Sequence, residues 1–442
     1  MKRGILLLLL PALIGGCSKL EQMGLIKGEN KVMPAGERES VLLTEETTAP
    51  AAAKDVGPVV LPKAEVVKQW HQAGQNAAHA VPHVQLAKDI SPVWEAQLSA
   101  SSNRNQRLLC EPIVADGLVM LYTPDSYVTA YDASTGSHKW SFQIQPEESA
   151  EANLGGGLAY NDGKLFVTTP FAELFAIEMK SGKPLWSAKT NSPLRSAPTV
   201  SDGRVYVVSL ENELTVYDEN TGKLLWKHEG VSESSGLLGG CTPSVHNGVV
   251  IVPYSSGEVY AIQADNGYPL WTETVSSAYR TDSIAGMPHI RAKPVIKDGV
   301  AYVVSQAGRC AAFDVRAGEM IWNRDFGGAE TPVVAGDSLF MVTNDNFVIC
   351  LDKSTGKIRW TKALHKWTDE SQNKGRIVWN GPVLAGSRLF LTGSHGTLLA
   401  LDAKDGSKAY EHAVSGSVVI PPIAVDGTVY VVTESGSLVA FR

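Results

Sequence analysis

Pro198-Thr199-Val200-Ser201-Asp202-Gly203 leads into the apolar run Arg204-Val205-Tyr206-Val207-Val208, and shortly afterwards comes Val216-Tyr217-Asp218-Glu219-Asn220-Thr221-Gly222, closed by Trp226. The β-branched and aromatic residues suit strands, and the Asp-Gly and Asp-x-x-Thr-Gly steps supply glycines at the positive φ that tight hairpins need. The stretch therefore reads as strand, Asp-Gly turn, strand, loop, strand, Asp-x-x-Thr-Gly turn, strand. Both cassettes recur along the chain. The first returns at Pro112 to Gly117, Pro243 to Gly248, Pro294 to Gly299 and Pro422 to Gly427, with degenerate copies from Leu158, Pro332 and Pro382. The second returns at Ala130 to Trp140, Ala176 to Trp186, Ala261 to Trp271, Ala312 to Trp322 and Cys350 to Trp360, with Tyr410 in the tryptophan position of the next copy.

Successive copies lie roughly 40 to 50 residues apart, the length of one four-stranded propeller blade. This predicts an all-β fold, an eight-bladed β-propeller over residues 88–442. The last copy stops at Phe441-Arg442 after three strands, whereas Ile90-Ser91-Pro92-Val93-Trp94-Glu95-Ala96 carries the tryptophan-bearing pattern with no strands before it. The N-terminal strand is thus expected to complete the last blade and close the ring, leaving no open edge. Each repeat tryptophan is expected to pack between neighbouring blades. Cys310 and Cys350 occupy slots that other copies fill with Leu, Val or Ala, so they read as core residues. Cys110 and Cys241 precede the first cassette of blades one and four, which are not neighbours, so no disulfide is expected.

Ahead of the repeats, Lys2 and Arg3 precede an apolar run from Ile5 to Ile14, too short to span a bilayer as a helix, so residues 1–16 read as an export signal. Residues 17–87 are expected to form a lipidated N-terminus and flexible linker, rich in Glu, Thr, Ala and Pro up to about Leu61. Within it a short helix is expected at Lys63 to Ala73. Trp70 is either a pin onto the folded body or an incidental aromatic in the arm. The chain carries 39 Lys plus Arg against 46 Asp plus Glu, a formal charge of −7, which disfavours a nucleic-acid partner. No carboxylate cluster stands out from the turn aspartates, each of which hairpin geometry explains, and no metal or cofactor site is expected.

Leu13-Ile14-Gly15-Gly16-Cys17 resembles the lipobox of bacterial lipoproteins, which implies acylation of Cys17; Ser18 in place of Asp is compatible with passage to the outer membrane. The Ala-x-Asp-x-x-Thr-Gly-x-x-x-Trp cassette resembles the signature of quinoprotein (PQQ-repeat) β-propellers, a superfamily that includes pyrroloquinoline-quinone dehydrogenases. Those carry adjacent cysteines beneath the cofactor, and this sequence has no Cys-Cys pair. Lipobox, linker and eight-bladed ring together resemble the BamB family. The resemblance implies a non-catalytic lipoprotein scaffold of the outer-membrane β-barrel assembly (Bam) complex, anchored in the outer membrane and facing the periplasm. Its implied partners are BamA, other Bam-complex subunits and nascent outer-membrane proteins. A quinoprotein dehydrogenase-like enzyme and a cell-envelope glycan-binding propeller are the alternatives.

The two hairpin turns of each blade fall on one face, and the blade-to-blade loops fall on the other, where binding is usually carried. The longest of these loops are Thr272 to Asp282, with its run to His289, and Thr361 to Arg376. Ser192-Pro193-Leu194-Arg195 resembles the Leu-Arg pair through which that family contacts BamA. The resemblance implies an exposed apolar anchor at Leu194 and a fork for a carboxylate or carbonyl at Arg195. The blade-five counterpart, His289-Ile290-Arg291-Ala292-Lys293, is basic where enteric relatives are acidic. Leu194, Arg195, His289, Arg291 and Trp367 are the candidate partner-binding residues, and Leu194, Arg195, Arg291 and Trp367 are expected to line one patch.

Overall fold

The computed structural model describes residues 48–442 apart from 104, 145–152, 234–238 and 276–288. Eight four-stranded antiparallel sheets follow one another along the chain. Blade three shows the plan: Thr199–Ser201, Arg204–Val208, Glu213–Asp218 and Leu224–Glu229 run from the axis to the rim, paired in sequence order. Burial follows position, for the second strand is almost wholly covered whereas the outermost strand alternates exposed and half-buried residues. The Asp-Gly steps form the expected turns, with Asp202 at φ 50° and Gly203 at φ 74°. The Asp of the second turn ties down its own loop: Asp218 Oδ1 accepts hydrogen bonds from the Asn220 and Thr221 amides at 3.1 and 2.8 Å. These bonds, led by that of the Thr221 hydroxyl, hold the Asp218 carboxyl below its ordinary pKa.

Ring closure follows the sequence expectation. Pro92–Gln97 pairs antiparallel with Ser437–Phe441, Trp94 opposite Ala440, and so supplies the outermost strand of blade eight. The tryptophans join the blades. Trp186 Nε1 donates to the Glu219 carbonyl of the next blade at 3.0 Å, and the same donation links Trp226 to Ala264 and Trp271 to Val315. Each ring lies over the glycine of the next turn; a Cβ at Gly222, where φ is +67°, would fall 2.6 Å from the Trp186 indole. Blade one departs from the pattern, for Phe142, stacked on Trp140, lies over Gly182 instead. Tyr410 stands in the tryptophan slot of blade seven because the next blade takes its outermost strand from the N-terminus and has no second turn to receive an indole N–H.

Cys310 and Cys350 are buried, as expected for core residues, and Cys110 and Cys241 are likewise buried and free. Burial pushes the Cys110 and Cys310 thiols up to about 12, so neither is a reactive thiolate.

The stretch before the first blade does more than its composition suggests. Residues 58–90 form a strap that runs past the innermost strands, whose free edges face the axis. Trp70 exchanges backbone hydrogen bonds with Val114 of blade one at 2.6 and 2.8 Å. His71 receives the Tyr160 amide of blade two, and the Gln72 side chain receives the Val200 amide of blade three at 2.9 Å. Ala77 and Ala78 accept from Val245 and Ile296 of blades four and five. Val84 bridges Leu384 and Gly386 of blade seven, Val67 accepts from Asp426 of blade eight, and the Val60 amide reaches Asp337 of blade six. The strap thereby satisfies inner-edge donors on successive blades that would otherwise face the channel unpaired. Trp70 is buried at 2% exposure, which makes it a pin rather than an incidental aromatic. The helix expected at Lys63 to Ala73 is not formed, because the backbone groups there pair with the ring instead of with one another. Among the described residues the helix is Ala53–Val56.

Candidate functional site on the loop face

The strap occupies the turn-face half of the axis, and charged side chains converge on the other half. Each comes from the residues just ahead of an innermost strand, so the repeat itself aims them inward. Glu111 precedes blade one and Lys293 precedes blade five, four blades apart in a ring of eight and therefore opposite each other. Their side chains nevertheless form an ion pair across the axis, with side-chain exposures of 14% and 13%. Beside it Arg291 pairs with Glu330, and Nε of Arg291 donates to the Ala329 carbonyl at 3.3 Å. Glu330 also accepts the Gly381 amide at 3.2 Å, so one carboxylate ties blades five, six and seven together. These groups line a cavity of about 90 Å³ that also receives Arg195.

Arg195 differs from its neighbours. It is half-buried, its Nε is enclosed without a hydrogen-bond partner among the described residues, and no carboxylate there neutralises it. Arg204, Arg309 and Arg359 likewise keep an enclosed Nε without a partner among the described residues, so what sets Arg195 apart is its place on two cavities. Arg195 also lines an adjoining cavity of about 350 Å³ together with Asn212, Pro253, Ser255 and His289. Burial, with the positive charge of Arg291 second, pushes His289 down to about 4, so the imidazole is neutral near pH 7.

The structure brings Arg195, His289 and Arg291 to these two joined cavities. Leu194 is not an exposed anchor. It is wholly buried in the core between blades two and three, packed with Phe166, Val205 and Val207, and its amide bonds the Thr169 carbonyl at 3.1 Å. The cause is the loop itself: Pro193 accepts the Leu210 amide and Ser192 the Glu211 amide, which turns Leu194 inward and Arg195 out. Trp367 lies apart from the cavity-lining residues, in a small hairpin of Trp367–Asp369 and Lys374–Arg376 between blades six and seven. The expected patch of Leu194, Arg195, Arg291 and Trp367 therefore does not assemble as one surface. Trp379 is strand packing, 4% exposed with Nε1 on the His365 carbonyl. Cys17 and most of the loop from Thr272 to Asp282 lie outside the described residues.

Glu111, Lys293 and Glu330 were not anticipated as axial residues. A signal exists for the first two: the position before the cassette proline is small or uncharged in the other copies that keep the proline, and is charged only in the two opposite blades.

Comparison with known proteins agrees with this architecture. Residues 144–362 match the family model described as outer membrane protein assembly factor BamB. Residues 83–187 and 324–440 match the model of the glucose/ethanol/alcohol dehydrogenase β-propeller domain. Outer membrane protein assembly factor BamB of Salmonella typhimurium is 26% identical over 370 residues, covering 80% of this chain and 91% of that protein. The Escherichia coli K12 protein of the same name is 25% identical over 334 residues, 74% of this chain and 82% of its own. Among solved structures, BamB from Moraxella catarrhalis superposes with a TM-score of 0.68 at 16% identity, over 80% of this chain and 100% of that one. A europium-containing methanol dehydrogenase gives 0.67 at 16% identity, over 85% and 98%, a likeness of fold alone. With eight blades, a ring sealed by its N-terminal strand and these matches in hand, the chain belongs to the PQQ-repeat β-propeller family, in its BamB-like form.

Proposed function

We propose that the protein is a non-catalytic scaffold subunit of an outer-membrane β-barrel assembly complex. In this reading Cys17 carries the lipid anchor, the ring faces the periplasm, and the loop face around Arg195, His289 and Arg291 binds BamA. The protein would thereby aid folding and insertion of outer-membrane proteins.

The observation that carries the reading is the similarity to assembly factors named BamB over as much as 80% of the chain. Two features of the ring support a binding role over an enzymatic one. The strap takes up the turn-face half of the axis and the Glu111–Lys293 pair crosses the other half, so the axis is bridged and holds only about 90 Å³ beside the pair; the larger adjoining cavity, about 350 Å³, is the one that Arg195 and His289 line. Arg195 supplies the partner contact best matched to chemistry: its half-buried guanidinium lines both cavities, and a guanidinium fork favours a carboxylate or a backbone carbonyl.

The test is a pull-down of the tagged protein from solubilised outer membranes, compared with Arg195→Glu. Recovery of BamA by the parent and its loss in the variant is the expected result. Equal recovery by both would remove Arg195 from the interface, and no recovery by either would remove the scaffold reading.

A further inference from the structure

The connection from blade six to blade seven carries the one antiparallel two-stranded sheet outside the blades among the described residues, Trp367–Asp369 paired with Lys374–Arg376. Its register decides what it displays. Trp367 stands opposite Arg376, and Asp369 opposite Lys374. Cross-strand partners share a face, as do residues two apart along a strand, so Trp367, Arg376 and Lys374 all lie on one side of the hairpin. On the other side the Thr368 hydroxyl fills the space where a Cβ on Gly375 would fall.

This face is left with unmet needs. Trp367 is half-buried yet joins none of the blade cores, and Val378, just beyond the hairpin, is 50% exposed. Lys374 and Arg376 are exposed, and neither pairs with a carboxylate among the described residues. Arg376 makes one long donation, from Nη2 to the Asn344 carbonyl at 3.4 Å, which leaves most of its fork available. The hairpin's own carboxylates are occupied in shaping it. Asp369 Oδ1 accepts the Ser371 hydroxyl at 2.7 Å and the Ser371 amide at 3.1 Å, and Glu370 Oε1 accepts the Lys366 amide at 3.0 Å. From Lys362 to Val378 the chain holds four basic residues against two acidic ones, in a protein whose formal charge is −7.

Position selects the kind of partner. The outermost strand of blade six, Ile358–Ala363, begins at the turn face and ends at the loop face. The N-terminal segment meets its first residue, where the Ala51 amide donates to the Ile358 carbonyl at 2.8 Å, whereas the hairpin departs from its far end, roughly 17 Å along. The side from which a lipid tether would run is therefore the opposite one, which favours a polypeptide over a bilayer; this step rests on the reading of Cys17 as the anchor. The hairpin lies between blades six and seven and Arg195 between blades two and three, four blades away in a ring of eight.

We propose that the hairpin face of Trp367, Lys374 and Arg376 docks an acidic polypeptide segment with an aromatic residue among its carboxylates. Tryptophan and arginine are the side chains that most often anchor interfaces, and each unpaired cation can take a carboxylate. Since Arg195 stands on the far side of the loop face, the ring can hold this segment and a partner at Arg195 together.

The test uses the purified protein and a fluorescein-labelled peptide, Glu-Glu-Phe-Asp repeated three times, followed by anisotropy. The double variant Lys374→Glu, Arg376→Glu changes exposed side chains only, so it should keep the parent melting temperature while weakening the peptide by about tenfold or more. Trp367→Ala should weaken it as well, and added salt should weaken it in the parent. Lys180→Glu, an exposed charge on a turn of blade two, should leave binding unchanged. Equal binding by the double variant, equal loss in Lys180→Glu, or equal binding of a peptide with lysine in place of every acid overturns the proposal. So does a parent that ignores the acidic peptide but binds vesicles of phosphatidylethanolamine and phosphatidylglycerol through Lys374 and Arg376, which would make the occupant a lipid surface. The double variant should still recover BamA, so failure here and failure of the scaffold reading are read separately.

Discussion

Replacing Lys293 by methionine tests whether opposite sides of the ring are held together across the axis. The substitution keeps the apolar stem and removes the ammonium, leaving Glu111 with its charge in a site where the two side chains are only 14% and 13% exposed. Removing one partner of a buried ion pair costs about 3–5 kcal/mol, and the residual exposure places this pair near the lower end, about 3 kcal/mol. Glu111→Gln in the same background removes the stranded charge and should restore most of that loss. The parent, both single variants and the double variant form a cycle whose coupling energy should be about 1–3 kcal/mol. Urea unfolding followed by tryptophan fluorescence reads it, with ten tryptophans as reporters. Lys408→Met is the control: its partner Glu411 and it are 46% and 62% exposed, so its loss should cost less than about 1 kcal/mol. If Lys293→Met cost no more than the control, or the cycle closed additively, the axial pair would not be holding the ring.

Leu194→Ala should destabilise the protein by about 2–5 kcal/mol, because the side chain is wholly buried, whereas Arg195→Ala should leave the melting temperature unchanged. A surface role for Leu194 would give the opposite pattern. Trp70→Ala should cost about 3–5 kcal/mol and expose residues 58–90 to limited proteolysis ahead of the blades; cleavage no faster than in the parent would refute the pinning role. Stability should fall in two stages as pH is lowered. Burial depresses His79 to about 3 and His289 to about 4, so below about 6.5 the unfolded chain takes up protons that the folded chain does not, and stability declines from there toward pH 4. The turn carboxyls Asp218, held by Thr221, and Asp298, held by Lys353, have folded pKa values below the ordinary one, so their contribution is present above about 4 and is lost as pH falls further. Unfolding midpoints between pH 7 and 3 check both stages, and a flat profile from 6.5 to 4 would contradict the first.

The blades were legible because each has the same local needs. Asp202-Gly203 must turn and Trp226 must find the next glycine, so the requirement is written again in every copy. Ring closure was equally legible, since an orphan strand at Trp94 and a three-strand copy ending at Phe441 complete each other. The strap was not, because its partners are inner-strand edges common to all blades. A segment that pairs through its backbone needs no periodic side chains, and Gln72, Ala77 and Ala78 carry no pattern. Arg195 and Arg291 could be placed on the loop face from their offsets to the cassette, but not their convergence on the axis. The burial of Leu194 depends on how Pro193 and Ser192 seat the loop on blade three, a contact distant in sequence.

Closing the ring with Pro92–Gln97 against Ser437–Phe441 also imposes an order in time. The first strand made must wait for the last, with the whole of the propeller between them. No intermediate length of chain is a finished ring, and a product truncated by even its final strand keeps blade eight unsealed on both sides. Contacts of such separation make closure a late and slow event, so the early strand stays an unpaired edge for most of the time the chain takes to emerge. The strap shortens that exposure. By lying along the inner strands blade after blade, it can hold the N-terminal end near the axis as successive blades form, within reach of the place where the C-terminus finally arrives.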